Sequence, residues 1–192
     1  MRITSPTPKS SFLSVEKDIN LIINKMLNDE RLKRLLYYNT PDCLDKENLT
    51  EKETYHLIGR NIKNVPKLKI DSDILNYVII NFDSFKPSGN PEFRDNVVIF
   101  DIICHFDQWS LNDMQLRPYK IAGEIDSLFN NEHLSGIGTL KFVSANQIVL
   151  NDELGGIALC YQAVHGGEDK KFMQTEKQEI QFIKDFEDMV RK

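Results

Sequence analysis

Four side chains able to ligate a metal or act as nucleophile and base occur as two close pairs, Cys104 with His105 and Cys160 with His165. Thiolates and imidazoles are the usual zinc ligands, and a Cys–His pair can also drive nucleophilic chemistry. The spacing argues against a metal. Adjacent residues in a strand point to opposite faces, and residues five apart diverge as well. A structural zinc site needs two ligands projecting together from a turn. Cys104 and Cys160 therefore read as small buried hydrophobes. A Cys104–His165 dyad would need their two strands to be neighbours.

Other chemistries leave as little trace. No G-x-S-x-G occurs, and His56, His105, His133 and His165 lie in unrelated settings. There is no G-x-x-x-x-G-K-[ST], and Gly136-Ile137-Gly138 lacks the third glycine of a dinucleotide fingerprint. Glu124 and Asp126 are two apart on an expected helix and so do not face each other. Asp101 and Asp107 would lie ~20 Å apart along one strand. No catalytic residue, metal ligand or cofactor-binding residue is assigned, and the chain reads as a non-enzyme.

Charge is more informative. Residues 1–70 carry a net +4, residues 71–165 a net −8, and residues 166–192 a net −1, giving −5 in all. Arg60, Lys63, Lys67 and Lys69 form one basic run, and Arg31, Lys33 and Arg34 another. Phosphate binding needs several such charges on one surface. The residues between them are aliphatic or amide-bearing rather than aromatic, and the chain is acidic overall. Docking onto an acidic protein surface accounts for them better than reading DNA, alongside the plain alternative of unequal solvated faces.

The elements that must position these residues come next. The chain has 192 residues, 41% hydrophobic and 28% charged, which describes a globular chain of one large domain or one domain with extensions. No apolar run approaches the ~18–20 residues of a membrane span, and the first residues lack the apolar core of a signal peptide. Three cysteines, an odd and sparse set, fit a reducing compartment rather than a disulfide framework. Residues 1–12 read as a flexible arm. Residues 13–70 read as a helical segment, with Ile19, Ile22, Ile23, Met26 and Leu27 at helical spacing behind a Ser14 cap, and a second helical stretch over 31–38. Thr50-x-x-Glu53 is a capping box opening a short helix that Gly59 closes.

From residue 71 to 167 the period is that of strands. Residues 73–85 form one strand. In residues 96–109 (NVVIFDIICHFDQW), Val98, Phe100, Ile102, Cys104 and Phe106 alternate onto one face. The opposite face is also mostly apolar, so this strand should be central and covered on both sides. The connection 86–95 (KPSGNPEFRD) reads as a projecting polar loop. Residues 117–130 form a helix with Pro118 in its first turn and Ile121, Ile125 and Leu128 on its buried stripe. Short strands follow over 138–144, 147–150 and 157–165, the last two joined by a turn that includes Gly155 and Gly156. Residues 168–192 close the chain as a final helix. The expected class is α+β: a mainly antiparallel sheet with an amphipathic helix packed on it, N-terminal helices and a C-terminal helix.

This layout, with NVVIFDIICHFDQW followed by RPYKIAGEIDSLFNN, resembles the tail terminator (tail completion) and neck proteins of long-tailed bacteriophages over residues 74–165. In that family a strand pair, a helix laid on the sheet and a final strand pair build each subunit of a hexameric ring. The resemblance implies a virion structural protein at the head–tail junction, needing no cofactor. Its partners would be copies of itself in a homohexamer, the tail tube protein and the neck or head–tail connector proteins. DNA would slide through the lumen without being read, and no membrane is involved. The candidate partner-binding residues are Lys86, Ser88, Asn90, Glu92 and Arg94 on the projecting loop, and Arg60, Lys63, Lys67 and Lys69 on the basic run. The alternatives are another neck, adaptor or assembly protein docking through the basic N-terminal helices, or a small enzyme built from dispersed Asp and His residues.

Overall fold

The computed structural model describes residues 12–64, 76–87 and 94–164. The expected arm, apart from residue 12, and the expected final helix lie outside the described residues. Helix α1 (Phe12–Leu27) begins two residues before Ser14, which is therefore inside the helix rather than its cap. The chain breaks at Asn28-Asp29 and restarts as α2 (Glu30–Tyr37), where Asp29 Oδ1 accepts from the Leu32 N–H at 2.7 Å. The capping box is present at α3 (Glu51–His56). Thr50 Oγ1 accepts from the Glu53 N–H, and Glu53 Oε2 accepts from the Thr50 N–H. Gly59 lies three residues beyond the helix with φ of 72°, a left-handed conformation that glycine adopts without strain.

Among the described residues the sheet has six strands in the order β1-β2-β3-β6-β5-β4. They are β1 (Ile62–Lys63), β2 (Asn76–Pro87), β3 (Arg94–His105), β4 (His133–Leu134), β5 (Gly138–Val149) and β6 (Leu154–Val164). Among these described strands only β1 and β2 pair in parallel. Helix α4 (Arg117–Phe129) crosses from β3 to β4, with Pro118 in its first turn. The α+β class holds, and β3 is central as its two-sided apolar pattern requires. One face of β3 sends Val98, Phe100, Ile102 and Cys104 into the main core beneath the helices. The other face contributes Ile103 to a smaller cluster with Tyr77, Ile79 and Leu154.

Helices α1, α2 and α4 share that main core with the sheet. Ile22, Met26, Leu32, Leu35, Ile121 and Phe129 are all fully buried in it. Each such side chain contributes about 1.5–3 kcal/mol by leaving water. The Phe100 and Phe129 rings stack at 5.0 Å between centroids, which fixes α4 over the middle of the sheet.

Three expectations are corrected. Residues 138–144 and 147–150 are not two strands. They form the single strand β5, with a bulge between Phe142 and Ser144 that absorbs the irregular stretch against an unbroken β6. Gly155 and Gly156 are not in a turn but in β6. A Cβ on Gly156 would come 1.8 Å from the Ile102 carbonyl oxygen, and one on Gly155 would meet the Phe106 ring at 2.8 Å. These glycines serve close packing of strands rather than chain reversal. Finally, β3 ends at His105, and Phe106–Gln108 form a 3-10 turn.

Candidate functional site

The hairpin β2–β3 reaches farther than its polar sequence suggests. Lys86 pairs with Asp95 and Pro87 with Arg94, so Lys86 and Arg94 are strand residues rather than loop residues. The ladder survives because a bulge between Asp83 and Lys86, with Ser84 at φ of 56°, takes up the extra residues. Ser88, Asn90 and Glu92, the other candidates of the projecting loop, lie outside the described residues.

The basic run is not one open surface. Arg60 is exposed in the turn before β1. Lys63 is buried, with Nζ 5.0 Å from the centre of the Tyr77 ring in a cation–π contact. Lys67 and Lys69 lie outside the described residues. On the N-terminal helices, Lys25 Nζ pairs with Glu132 at 2.8 Å, Arg31 Nε with Glu124 at 2.7 Å and Lys33 Nζ with Glu30 at 2.7 Å. Part of the charge contrast between the two halves of the chain is thus met inside the molecule. The exposed acids Asp83, Asp107, Asp113, Asp152 and Glu153 remain for the surface.

Residues with chemical potential are mostly committed to structure. Cys104 is fully buried, and burial pushes its thiol up to about 12 against the opposing charge of Arg117. It is a thiol, not a thiolate, at neutral pH. Its proposed dyad partner His165 lies outside the described residues. Burial raises the carboxyl of Asp101 above the usual aspartate range, opposed by the hydrogen bond that Asn81 Nδ2 donates to its Oδ2 at 2.7 Å. Burial also raises the Tyr161 hydroxyl, which donates to Asp126 Oδ1 at 2.8 Å. Among the described residues no three His, Cys, Asp or Glu side chains gather as a metal would require. No helix there is long and apolar enough to cross a membrane.

Arg117 is the residue that sequence reasoning missed. It is fully buried and donates to four main-chain carbonyls: Gln108 from Nε at 2.8 Å, Leu35 and Tyr38 from Nη1 at 2.7 and 2.9 Å, and Thr40 from Nη2 at 2.8 Å. The carbonyl end of α2 offers partial negative charge to the guanidinium. One signal was available: a cation in the first turn of α4 opposes that helix's own dipole.

The sheet surface along β5 is left open. Along β5, Phe142, Val143 and Val149 are 45%, 57% and 74% exposed. Beyond β4 and the adjoining main chain, the outer edge of β5 has no strand beside it among the described residues. Such an edge is a template for pairing with another chain.

No curated protein and no solved structure matches the chain. The model of the YomW family does, over residues 29–163, from the cap of α2 to the penultimate residue of β6. That span is well over half the chain and takes in all six strands, so the protein belongs to YomW, a phage-derived family of the SPbeta-like prophage type.

Proposed function

We propose that this chain is a non-enzymatic component of a phage particle that forms a ring at the head–tail junction. It would cap the tail tube and join it to the neck while DNA passes. The observation that carries the reading is the order of elements in a chain of phage-derived family: hairpin β2–β3, helix α4, hairpin β5–β6. It is the order of the tail terminator subunits that the sequence resembles. The exposed acids suit a bore that must repel phosphate and let a duplex slide. Size suits it too: 192 residues imply a radius of gyration of ~16 Å, and six such bodies in contact leave a hole of ~40 Å for a duplex of ~20 Å. Docking through the N-terminal helices is the weaker reading, because Lys25, Arg31 and Lys33 are already engaged with carboxylates of the same chain.

The test is the mass of the purified protein over a wide concentration range, with electron-microscope images taken alone and with tail tubes. Six-fold rings with an open centre are expected. A monomer under both conditions overturns the reading, and one that also turns over a small substrate makes the protein an enzyme.

A further inference from the structure

The sheet ends in two edges, and among the described residues each is covered along only part of its length. On one side β1 lies beside Val78 and Ile79 of β2, leaving the later residues of β2 without a strand beside them among the described residues. On the other side β4 lies beside Gly138 and Thr139 of β5. Asn131 and Glu132 bond the main chain of Leu140, and the Asn130 side chain bonds Phe142 N–H. Residues 143–149 have no such cover among the described residues. Following the register across the sheet, Val78 lies level with Ile102, Ile157 and Gln147, and Phe82 lies level with Val98, Tyr161 and Phe142. The open half of each edge therefore faces away from the other at diagonally opposite corners.

Direction and facing agree as well. Strands β2 and β5 run in opposite directions, so β5 of one copy laid beside β2 of another is an antiparallel pair. Val78 N–H bonds outward to the Asn61 carbonyl at 2.8 Å, so Ile80 and Phe82, which precede the bulge between Asp83 and Lys86, turn their main-chain groups to the edge. Leu150 N–H bonds inward to the Leu154 carbonyl at 2.9 Å, so Ala145, Gln147 and Val149 turn theirs outward. Phe82 packs on the helix-covered face, and Gln147 and Ala145 stand opposite Ile157 and Leu159 on that same face. A ladder between the two edges thus keeps every copy's helices on one side of a continuous sheet. Had one set of outward groups belonged to the opposite face, the neighbour's helices would have been thrown to the far side.

Charge favours the same arrangement. The exposed Asp152 and Glu153 follow directly on the open half of β5, and they would approach the neighbour's β1, which the exposed Arg60 precedes; Lys63 of that strand is buried against Tyr77 and takes no part. The open stretch of β5 has no charged residue of its own from Phe142 to Val149, so nothing on it repels a partner strand.

We propose that copies of this chain join head to tail by strand addition, the open half of β5 in one copy pairing antiparallel with the open half of β2 in the next. Such an interface is heterologous, and it closes into a ring when the rotation between copies allows. The pairing deepens the ring reading above and rests on it only for closure.

The test uses the full chain with Cys160→Ala to remove the half-exposed thiol. Asp83→Cys and Asn146→Cys are added together, because both positions are exposed, lie near the two open edges and share the sheet face away from the helices. A short bis-maleimide should convert the double variant into a ladder of dimers, trimers and larger species, and either single variant into none. Ala145→Pro removes an outward N–H that the chain does not use within its own sheet. It should reduce the assembly to monomers that keep the circular dichroism spectrum and cooperative unfolding of a folded chain. A missing ladder, an assembly that survives Ala145→Pro, or dimers captured from Gln147→Cys alone (a two-fold contact of β5 with itself) would overturn the pairing. A ladder formed by open filaments upholds the pairing and removes the ring reading. Rings that give no ladder do the reverse.

Discussion

Arg117 satisfies the main-chain carbonyls of Leu35, Tyr38, Thr40 and Gln108, of which the Leu35 bond is fully buried and the Thr40 oxygen also accepts from the Cys43 N–H. Losing the partner of a buried polar group costs ~1–3 kcal/mol for each, so Arg117→Ala should destabilise the fold by at least ~3 kcal/mol, read from the urea midpoint. Arg117→Lys keeps the charge but not the planar fork, and should recover only part of the loss. Asp101 makes a second residue-level prediction. Its carboxyl pKa is raised in the folded state, so its contribution to stability is full below the unfolded value and is lost as pH rises through the raised one. Asp101→Asn, which can still accept from Asn81, should therefore gain more stability at pH 7 than at about pH 3, measured by urea titrations at both. Asp101 was visible in the sequence as the one acid on an apolar strand face. Three of the four partners of Arg117 were not, because Leu35, Tyr38 and Thr40 lie about 80 residues earlier and no periodicity links them.

Strand β6 carries two glycines, Gly155 and Gly156, directly after its first residue, and their role is set by what packs against them. Gly156→Ala puts a methyl into the Ile102 carbonyl, while Gly123→Ala on the exposed side of α4 meets nothing within 4 Å. The first should lower stability by ~3 kcal/mol or more, and the second should raise it by up to ~1 kcal/mol through helix propensity. Paired thermal melts of the two variants check both signs. The same contrast explains what the elements revealed in advance. Helix α4, strand β3 and the Thr50 capping box were legible because periodicity and end chemistry are local. The run containing Gly155 and Gly156 read as a turn because close strand packing is not local. Strands β1 and β4, of two residues each, carry no period at all.

At the scale of the whole molecule, the N-terminal helices close the core of the sheet rather than standing apart from it. A fragment starting at residue 71 would expose the faces that Ile22, Met26, Leu32, Leu35 and Leu36 now cover. It should be insoluble or show no cooperative unfolding, tested by expressing it beside the full chain. The ion pairs between these helices and the rest are half-exposed or more on at least one side, and each should contribute under ~1 kcal/mol in a double-mutant cycle of Lys25 and Glu132. The opposite charges of the two halves were plain from counting. That some of them meet each other was not, since composition carries no distances. Phage ancestry rests on the family match, and the layout that led to it was read from the order of strands and helices.

The guanidinium tie of Arg117 also sets an order of events in time. On the ribosome the chain emerges from its N-terminus, so α1 and α2 are complete about 80 residues before the side chain that satisfies the end of α2 leaves the exit tunnel. Strand β3 likewise waits for β6, which lies beyond α4 and β5. The first helices must therefore pass through synthesis with apolar faces uncovered and the last carbonyls of α2 held by water. Docking of α4 is the step that ends this exposure. A pause or truncation before residue 117 should leave a nascent chain that binds chaperones, and one after residue 164 should leave a chain protected from protease.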